Sequence, residues 1–167
     1  MSLTLHAATV PNWLQILGSA KGWLDKAEGQ DGILGAKLAD DMWPFAKQIA
    51  VLATHSQGAI EGVRKGVFTP EFGPAPTTIV ELRAKIDGAI AFLEGLTVEE
   101  MQAFVGQPMR FEIGEKKLPF LAEDFLLTFS QTNFFFHAVT AYGILRANGI
   151  AVGKLDYLGK LRMALPA

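Results

Sequence analysis

The chain has 167 residues, half of them hydrophobic and 19% charged, with a formal net charge of -2 and no cysteine. This composition predicts one domain over 1-167 with ample core and excludes a disordered chain, a disulfide scaffold and thiolate chemistry, while the small charge argues against nucleic acid or an anionic membrane as partner. No apolar run reaches the roughly 18 residues that span a bilayer, and the start, MSLTLHAATV, lacks the basic segment and long apolar run of a signal peptide, so a soluble, cytoplasmic protein is expected.

Val10, Trp13, Leu14, Leu17 and Leu24 recur at helical spacing and predict a first helix from about Leu3 to Ala27. Pro11 either occupies a first turn or kinks a longer helix. The helix-compatible Leu3, Leu5, Ala7 and Ala8 before it favour the kink. Glu28 to Gly35 reads as a Gly-rich loop. A second helix is expected from about Asp41 to Lys65, with Phe45, Ile49, Leu52, Ala59 and Val63 as its apolar stripe. Asp40 and Asp41 near its start, and Arg64 and Lys65 at its end, complement the helix dipole. Pro44 is tolerated in a first turn, and Gly66 suits the position just past the end.

Pro70, Pro74 and Pro76 make Thr69 to Pro76 an irregular connection. Thr78 with Glu81 is a capping box and opens a third helix to about Glu94, with Leu82, Ile86, Ile90 and Leu93 inward. Thr97 with Glu100 opens a further helical turn to about Phe104. From Met109 to Phe120 the period changes to alternation around Gly114-Glu115-Lys116, the mark of a small β-hairpin. A fourth helix follows from about Ala122 to Ala147, with Asn148-Gly149 as its stop, and the tail carries a short helical turn. The expected fold is all-α: an up-and-down four-helix bundle with a small β-hairpin between the third and fourth helices.

Ser130 to Gly149 is apolar on nearly every side, which predicts burial all round. Asn133 and His137 sit one turn apart within it and point the same way. His55 lies on the flank of the second helix, with Gln48 two turns earlier on nearly the same line. If those helices face each other, His55 and His137 converge inside the bundle. Imidazoles from facing helices are a usual way to hold zinc, nickel, copper or iron, and an open coordination position leaves room for chemistry. Gln48 and Thr140 are expected to line the pocket. The plainer reading of each histidine is a hydrogen-bonded core residue, and two histidines from separate helices signal less than H-E-x-x-H on one. His6, near the terminus, reads as a partly exposed side chain. Phe134, Phe135 and Phe136 point in three directions and cannot form one stacking platform. Ser56 and Ser130 lack a G-x-S-x-G context. The glycines after Asn148 follow no strand, so they make no phosphate loop.

DMWPFAKQ (41–48), AFLEGLT (91–97) and TNFFFHAVTAYGILRANGIAVGKLDYLG (132–159) together resemble a bacterial family of unknown function within the DinB/YfiT-like group, to which metalloenzyme activity is ascribed. The resemblance implies an up-and-down four-helix bundle, a homodimer formed through helices, and a divalent metal such as zinc, nickel, iron or manganese. In that group the metal is held by one His from the second helix and a His-x3-His pair on the last. By that resemblance His55 and His137 are ligands, and Asn133 stands where the first His of the pair belongs, so the triad is broken. A neutral amide oxygen matches zinc or nickel less well than imidazole. Three functions follow as expectations: a metal-dependent enzyme, a non-enzymatic small-molecule binder with Asn133, His137 and Gln48 as its polar groups, and a structural protein without chemistry. The homodimer expectation also draws on surplus apolar surface of the fourth helix and on Trp13, Trp23 and Trp43, read as exposed.

Overall fold

Helix α1 spans Leu5–Ala27 and is opened by Thr4, whose hydroxyl accepts from the Ala7 amide at 3.1 Å. Such a cap pairs one of the four amides that a helix start leaves unpartnered. The computed structural model describes residues 3–70 and 72–164. The readings of the first two and last three residues lie outside that range. Pro11 falls inside α1, which excludes the first-turn alternative.

The expected second helix is two helices. α2 spans Phe45–Thr54 and α3 spans Gln57–Lys65. The chain leaves helical geometry at Ser56, whose φ and ψ are -120° and -83°. The Ser56 hydroxyl donates back to Leu52 O at 2.7 Å, the competition with backbone pairing that serine brings to a helix. α2 also starts later than Asp41, because Pro44 is extended and serves as the cap. Asp40 and Asp41 therefore precede the first turn rather than occupy it. At the far end Gly66 adopts φ 71° and ends α3, as its position implied.

Gly66 leads into β1, Val67–Phe68, which runs parallel to β2, Pro108–Ile113. β2 pairs antiparallel with β3, Lys116–Leu121, so the expected hairpin is present and β1 extends it to three strands. Two residues are too few to show alternation, which is why β1 is silent in the sequence. α4, Ile79–Glu94, opens on the full Thr78–Glu81 capping box. α5, Val98–Ala103, has only half of one. Thr97 accepts from the Glu100 amide, but the Glu100 carboxylate is drawn away to Arg64 at 2.6 Å.

The expected fourth helix is one helical run with a change of pitch. α6, Ala122–Asp124, passes into a π-helical segment, Phe125–Ser130, and then into α7, Gln131–Ala147. α8, Lys154–Leu158, is the short turn in the tail. The long helices contact one another in a closed sequence: α1 with α4, α4 with α2, α2 with α7, and α7 with α1. Trp13, Trp23, Phe45, Phe125 and Phe134 are fully buried between them.

Two expectations about surface fail. Trp13 and Trp23 are wholly buried, not exposed. Trp23 is drawn in because its indole N–H donates to Asp156 O at 3.0 Å and its ring stacks on Tyr157. Conversely, α7 is not buried on every side: Phe136 and Val139 are more than half exposed. Its inner face is carried by Phe134, His137, Ala138, Ala141, Ile144 and Leu145.

α8 is fastened by a row of donors along one face of α1. Gln15 Nε2 donates to Leu158 O, Ser19 Oγ to Tyr157 O and Trp23 Nε1 to Asp156 O, at 2.6, 3.0 and 3.0 Å. Residues four apart on α1 thus satisfy the carbonyls that a helix end leaves unpaired. Among the described residues no helix is long and apolar enough to cross a membrane.

Candidate functional site

α2 and α7 bring the two predicted histidines together. His55 caps the C-terminus of α2 and His137 lies in the middle of α7. Both side chains are buried. Their rings are nearly parallel, at 12°, with centroids 6.0 Å apart.

Each imidazole is held by a residue from the other's helical run. His137 Nδ1 is 2.6 Å from Gln48 Oε1, and His55 Nδ1 is 3.2 Å from Ser130 Oγ. Gln48 precedes His55 by seven residues, and Ser130 precedes His137 by seven. The pairs cross, so α2 and α7 run in opposite directions. Gln48 Nε2 donates to Trp43 O at 3.0 Å, which turns the amide oxygen toward His137. An amide oxygen only accepts, so His137 carries its proton on Nδ1 and its lone pair on Nε2. Neither histidine Nε2 has a hydrogen-bond partner among the described residues, and neither is one of the sealed, unpartnered polar atoms, Trp13 Nε1 and Gln131 Oε1.

The rings continue outward and inward from this pair. The Trp43 indole stacks on His137 at 5.5 Å and 10°, and the Lys47 ammonium lies 5.6 Å from the Trp43 ring. On the inner side His55 meets Phe68 at 5.7 Å and the edge of Phe129 at 5.9 Å. In these surroundings a charge is poorly solvated. Burial pushes His55 down to about 3, with the neighbouring His137 adding to the effect. Burial likewise pushes His137 down to about 4. Both are neutral near pH 7, the form in which imidazole binds a cation.

His137 opens onto a shallow cleft of about 370 Å³, lined also by Asp41, Met42, Trp43, Gln48, Asn133 and Phe136. Two larger cavities, of about 680 and 460 Å³, lie elsewhere and touch neither imidazole. Asn133 is half-buried, and its amide nitrogen donates to Phe129 O at 2.8 Å. Its oxygen, which can only accept, is left for the cleft that Asn133 lines. Thr140 is buried and its hydroxyl is spent on Phe136 O at 2.8 Å. His6 is half-buried at the start of α1.

The donor set can be judged against a divalent metal. Two imidazoles each held at Nδ1 by a side chain have the kind of outer-shell partner that ligating histidines usually have. The third position offers only a neutral amide oxygen. Among the described residues no three His, Cys, Asp or Glu side chains are grouped to hold a metal. Neutral imidazole is a chemically suitable ligand for a borderline divalent cation, but of these three donors only His137 and Asn133 line the cleft, and Asn133 offers a poorer donor than a third imidazole.

Sequence reasoning named His55, His137, Asn133 and Gln48 as candidates and did not name Ser130 or Trp43 among them. Ser130 had a signal: seven residues before His137 places it on the same face of a regular helix. Trp43 had no periodic signal, because it comes from the irregular stretch before α2, although it falls within the DMWPFAKQ stretch.

The sequence profile of a family described as a domain of unknown function, DUF1993, matches residues 5–158. A solved structure described as a DinB family member protein from Shewanella denitrificans is similar at 27% identity and a TM-score of 0.78, over 97% of this chain and 96% of that one. No curated protein matches the chain.

Proposed function

The chain belongs to the DUF1993 family of domains of unknown function and is DinB-like, and we propose that it is a helical-bundle protein whose His55–His137 pair takes a divalent metal ion. The observation that supports this reading is the pair itself: two neutral, parallel imidazoles from α2 and α7, each anchored through Nδ1, each with Nε2 unpartnered. His55 and His137 would hold the ion, with Asn133 Oδ1 as a weaker third donor. A cation held there would supply Lewis acidity and would lower the pKa of a bound water toward neutral pH. The chain's own groups orient the site: Gln48 fixes the His137 ring, and Trp43 covers its face.

The test is elemental analysis of untagged protein purified without chelator, beside His55→Ala and His137→Ala. About one equivalent of zinc, nickel, iron or manganese, lost in both variants, is expected. A variant that keeps full occupancy refutes the assignment.

A second reading is a metal-free small-molecule binder. The cleft beside His137 favours it, since a few polar groups among Trp43, Met42 and Phe136 suit a small ligand. Ligand-induced thermal stabilisation in chelator-treated protein would select this reading over the first.

Two architectural proposals accompany the function. The closed contacts of α1, α4, α2 and α7 support an up-and-down four-helix bundle. The exposed Phe136 and Val139 on α7 support a homodimer. Light scattering that gives a clean monomer at micromolar concentration would rule the dimer out.

A further inference from the structure

Ser130 is fully buried and closes the π-helical segment Phe125–Ser130. Its hydroxyl has one proton to give. That proton goes to His55 O at 3.1 Å. This carbonyl lies where α2 ends, among the groups that a helix terminus leaves without a partner, and it is shut away from water. The same serine oxygen is 3.2 Å from His55 Nδ1. With its proton committed, the hydroxyl presents only lone pairs to the ring. The contact is a hydrogen bond only when Nδ1 carries the ring proton.

The pitch change before Ser130 makes this arrangement possible. A π turn accommodates an extra residue in the helix and occurs disproportionately at functional sites. Here it lets two sets of side chains face inward together. Phe125 and Phe129 stack on each other at 5.5 Å, and Phe129 turns its ring against His55 at 5.9 Å. Ser130 and His137, two α-turns apart, both face α2.

We propose that Ser130 is a positioning residue that locks His55 in the Nδ1–H tautomer and so presents the His55 Nε2 lone pair to the cation of the site; the second half rests on the metal-binding reading above. In water an imidazole exchanges freely between its two tautomers. In the folded chain Ser130 selects one for His55, and Gln48 selects the same one for His137 by a different chemistry. A hydroxyl whose proton is spent and an amide oxygen both act purely as acceptors. Both rings are then held in one tautomer before any ion arrives, which spares part of the cost of ordering the ligands at binding.

The test reads the tautomer and the affinity separately. Long-range proton–nitrogen correlation spectra of metal-free protein labelled with nitrogen-15 histidine, at pH 7.5, report which ring nitrogen carries hydrogen. His55 and His137 are expected on Nδ1. In Ser130→Ala the His55 signals move toward the Nε2–H form while those of His137 stay. Ser130→Thr keeps a hydroxyl and restores the Nδ1–H form. His55 protonated on Nε2 in the unmodified protein, or unmoved in Ser130→Ala, overturns the lock. Zinc titration is the second arm. Loss of an outer-shell partner lowers metal affinity about 10- to 100-fold, so that drop is expected in Ser130→Ala with recovery in Ser130→Thr. Equal zinc affinity in all three proteins overturns the positioning role. No zinc uptake by the unmodified protein refutes the metal-binding reading instead, and the spectra still decide the tautomer.

Discussion

His55 and His137 stack 6.0 Å apart at 12°, and each is gripped by a polar residue from the helical run that carries the other. This reciprocal grip holds two neutral imidazoles among apolar side chains with each Nδ1 in contact with a polar group. It also ties the stability of the fold to their protonation.

The first prediction follows from that linkage. In the native state His55 is pushed down to about 3 and His137 to about 4, whereas the unfolded chain has ordinary histidines near 6.5. Between those values the unfolded chain takes up protons that the native one refuses. The stability from these residues is therefore complete above pH 6.5 and is lost as pH falls from 6.5 toward about 4 for His137 and about 3 for His55. The loss by pH 5 is about 1–2 kcal/mol per histidine. Urea unfolding at pH 7.5, 6.0 and 5.0 measures it, and His137→Leu should reduce the slope. A flat profile over that range would contradict the buried, neutral pair.

Gln48 supports the second prediction. Its oxygen holds His137 and its nitrogen holds Trp43 O, so Gln48→Leu strands a buried ring N–H and a backbone carbonyl. The cost is about 1–3 kcal/mol. Trp13 and Trp23 are buried and Trp43 is 40% exposed, so quenching of tryptophan fluorescence by acrylamide reports mainly on Trp43. Quenching should rise in Gln48→Leu as Trp43 loses its anchor. Unchanged stability and quenching would show that the amide does not tie these groups together.

Two glycine substitutions in helices should act in opposite directions. A Cβ on Gly62 would come within 2.9 Å of Phe68 Cβ and 3.3 Å of its Cα, so α3 approaches β1 too closely for a side chain. Gly62→Ala should destabilise by about 1–3 kcal/mol, because overpacking outweighs the gain in helix propensity. Gly88 is exposed in α4 and a Cβ there meets nothing within 4 Å. Gly88→Ala should stabilise by about 0.5–1 kcal/mol. Thermal unfolding of both variants decides the pair of signs.

The capping box at α4 gives a fourth prediction. Thr78→Ala removes the acceptor of the Glu81 amide and should cost about 1 kcal/mol, whereas Thr78→Ser keeps the oxygen and should cost far less. At α5 the acceptor bond of Thr97 has no reciprocal partner, because Glu100 serves Arg64. Denaturant midpoints at pH 7.5 would show an error if Thr78→Ser matched the alanine variant.

Much of the fold was legible because it is set by local rules. Helical periodicity located α1 and α4 and the long run ending at Ala147, Thr78 marked its helix start, and alternation around Gly114 located the hairpin. The break at His55–Ser56 was not legible, because the apolar stripe runs through it and only the Ser56 back-bond interrupts the helix. The π turn was hidden for a similar reason: Phe125 to Ser130 reads equally well as ordinary α-helix. Trp13 and Trp23 were misplaced because a tryptophan's burial depends on a partner for its ring, which for Trp23 lies in the distant tail at Asp156 and Tyr157.

The sequence by itself determined the helices, the hairpin and the candidates His55, His137 and Asn133, since spacing along one chain decides which residues share a face. Tertiary structure alone decided that Gln48 serves His137 and Ser130 serves His55. Those bonds cross between antiparallel helical runs, and their register depends on how two surfaces pack. It also decided that both imidazoles are neutral with Nδ1 anchored, because solvation and hydrogen-bond direction are set by surrounding groups distant in the chain.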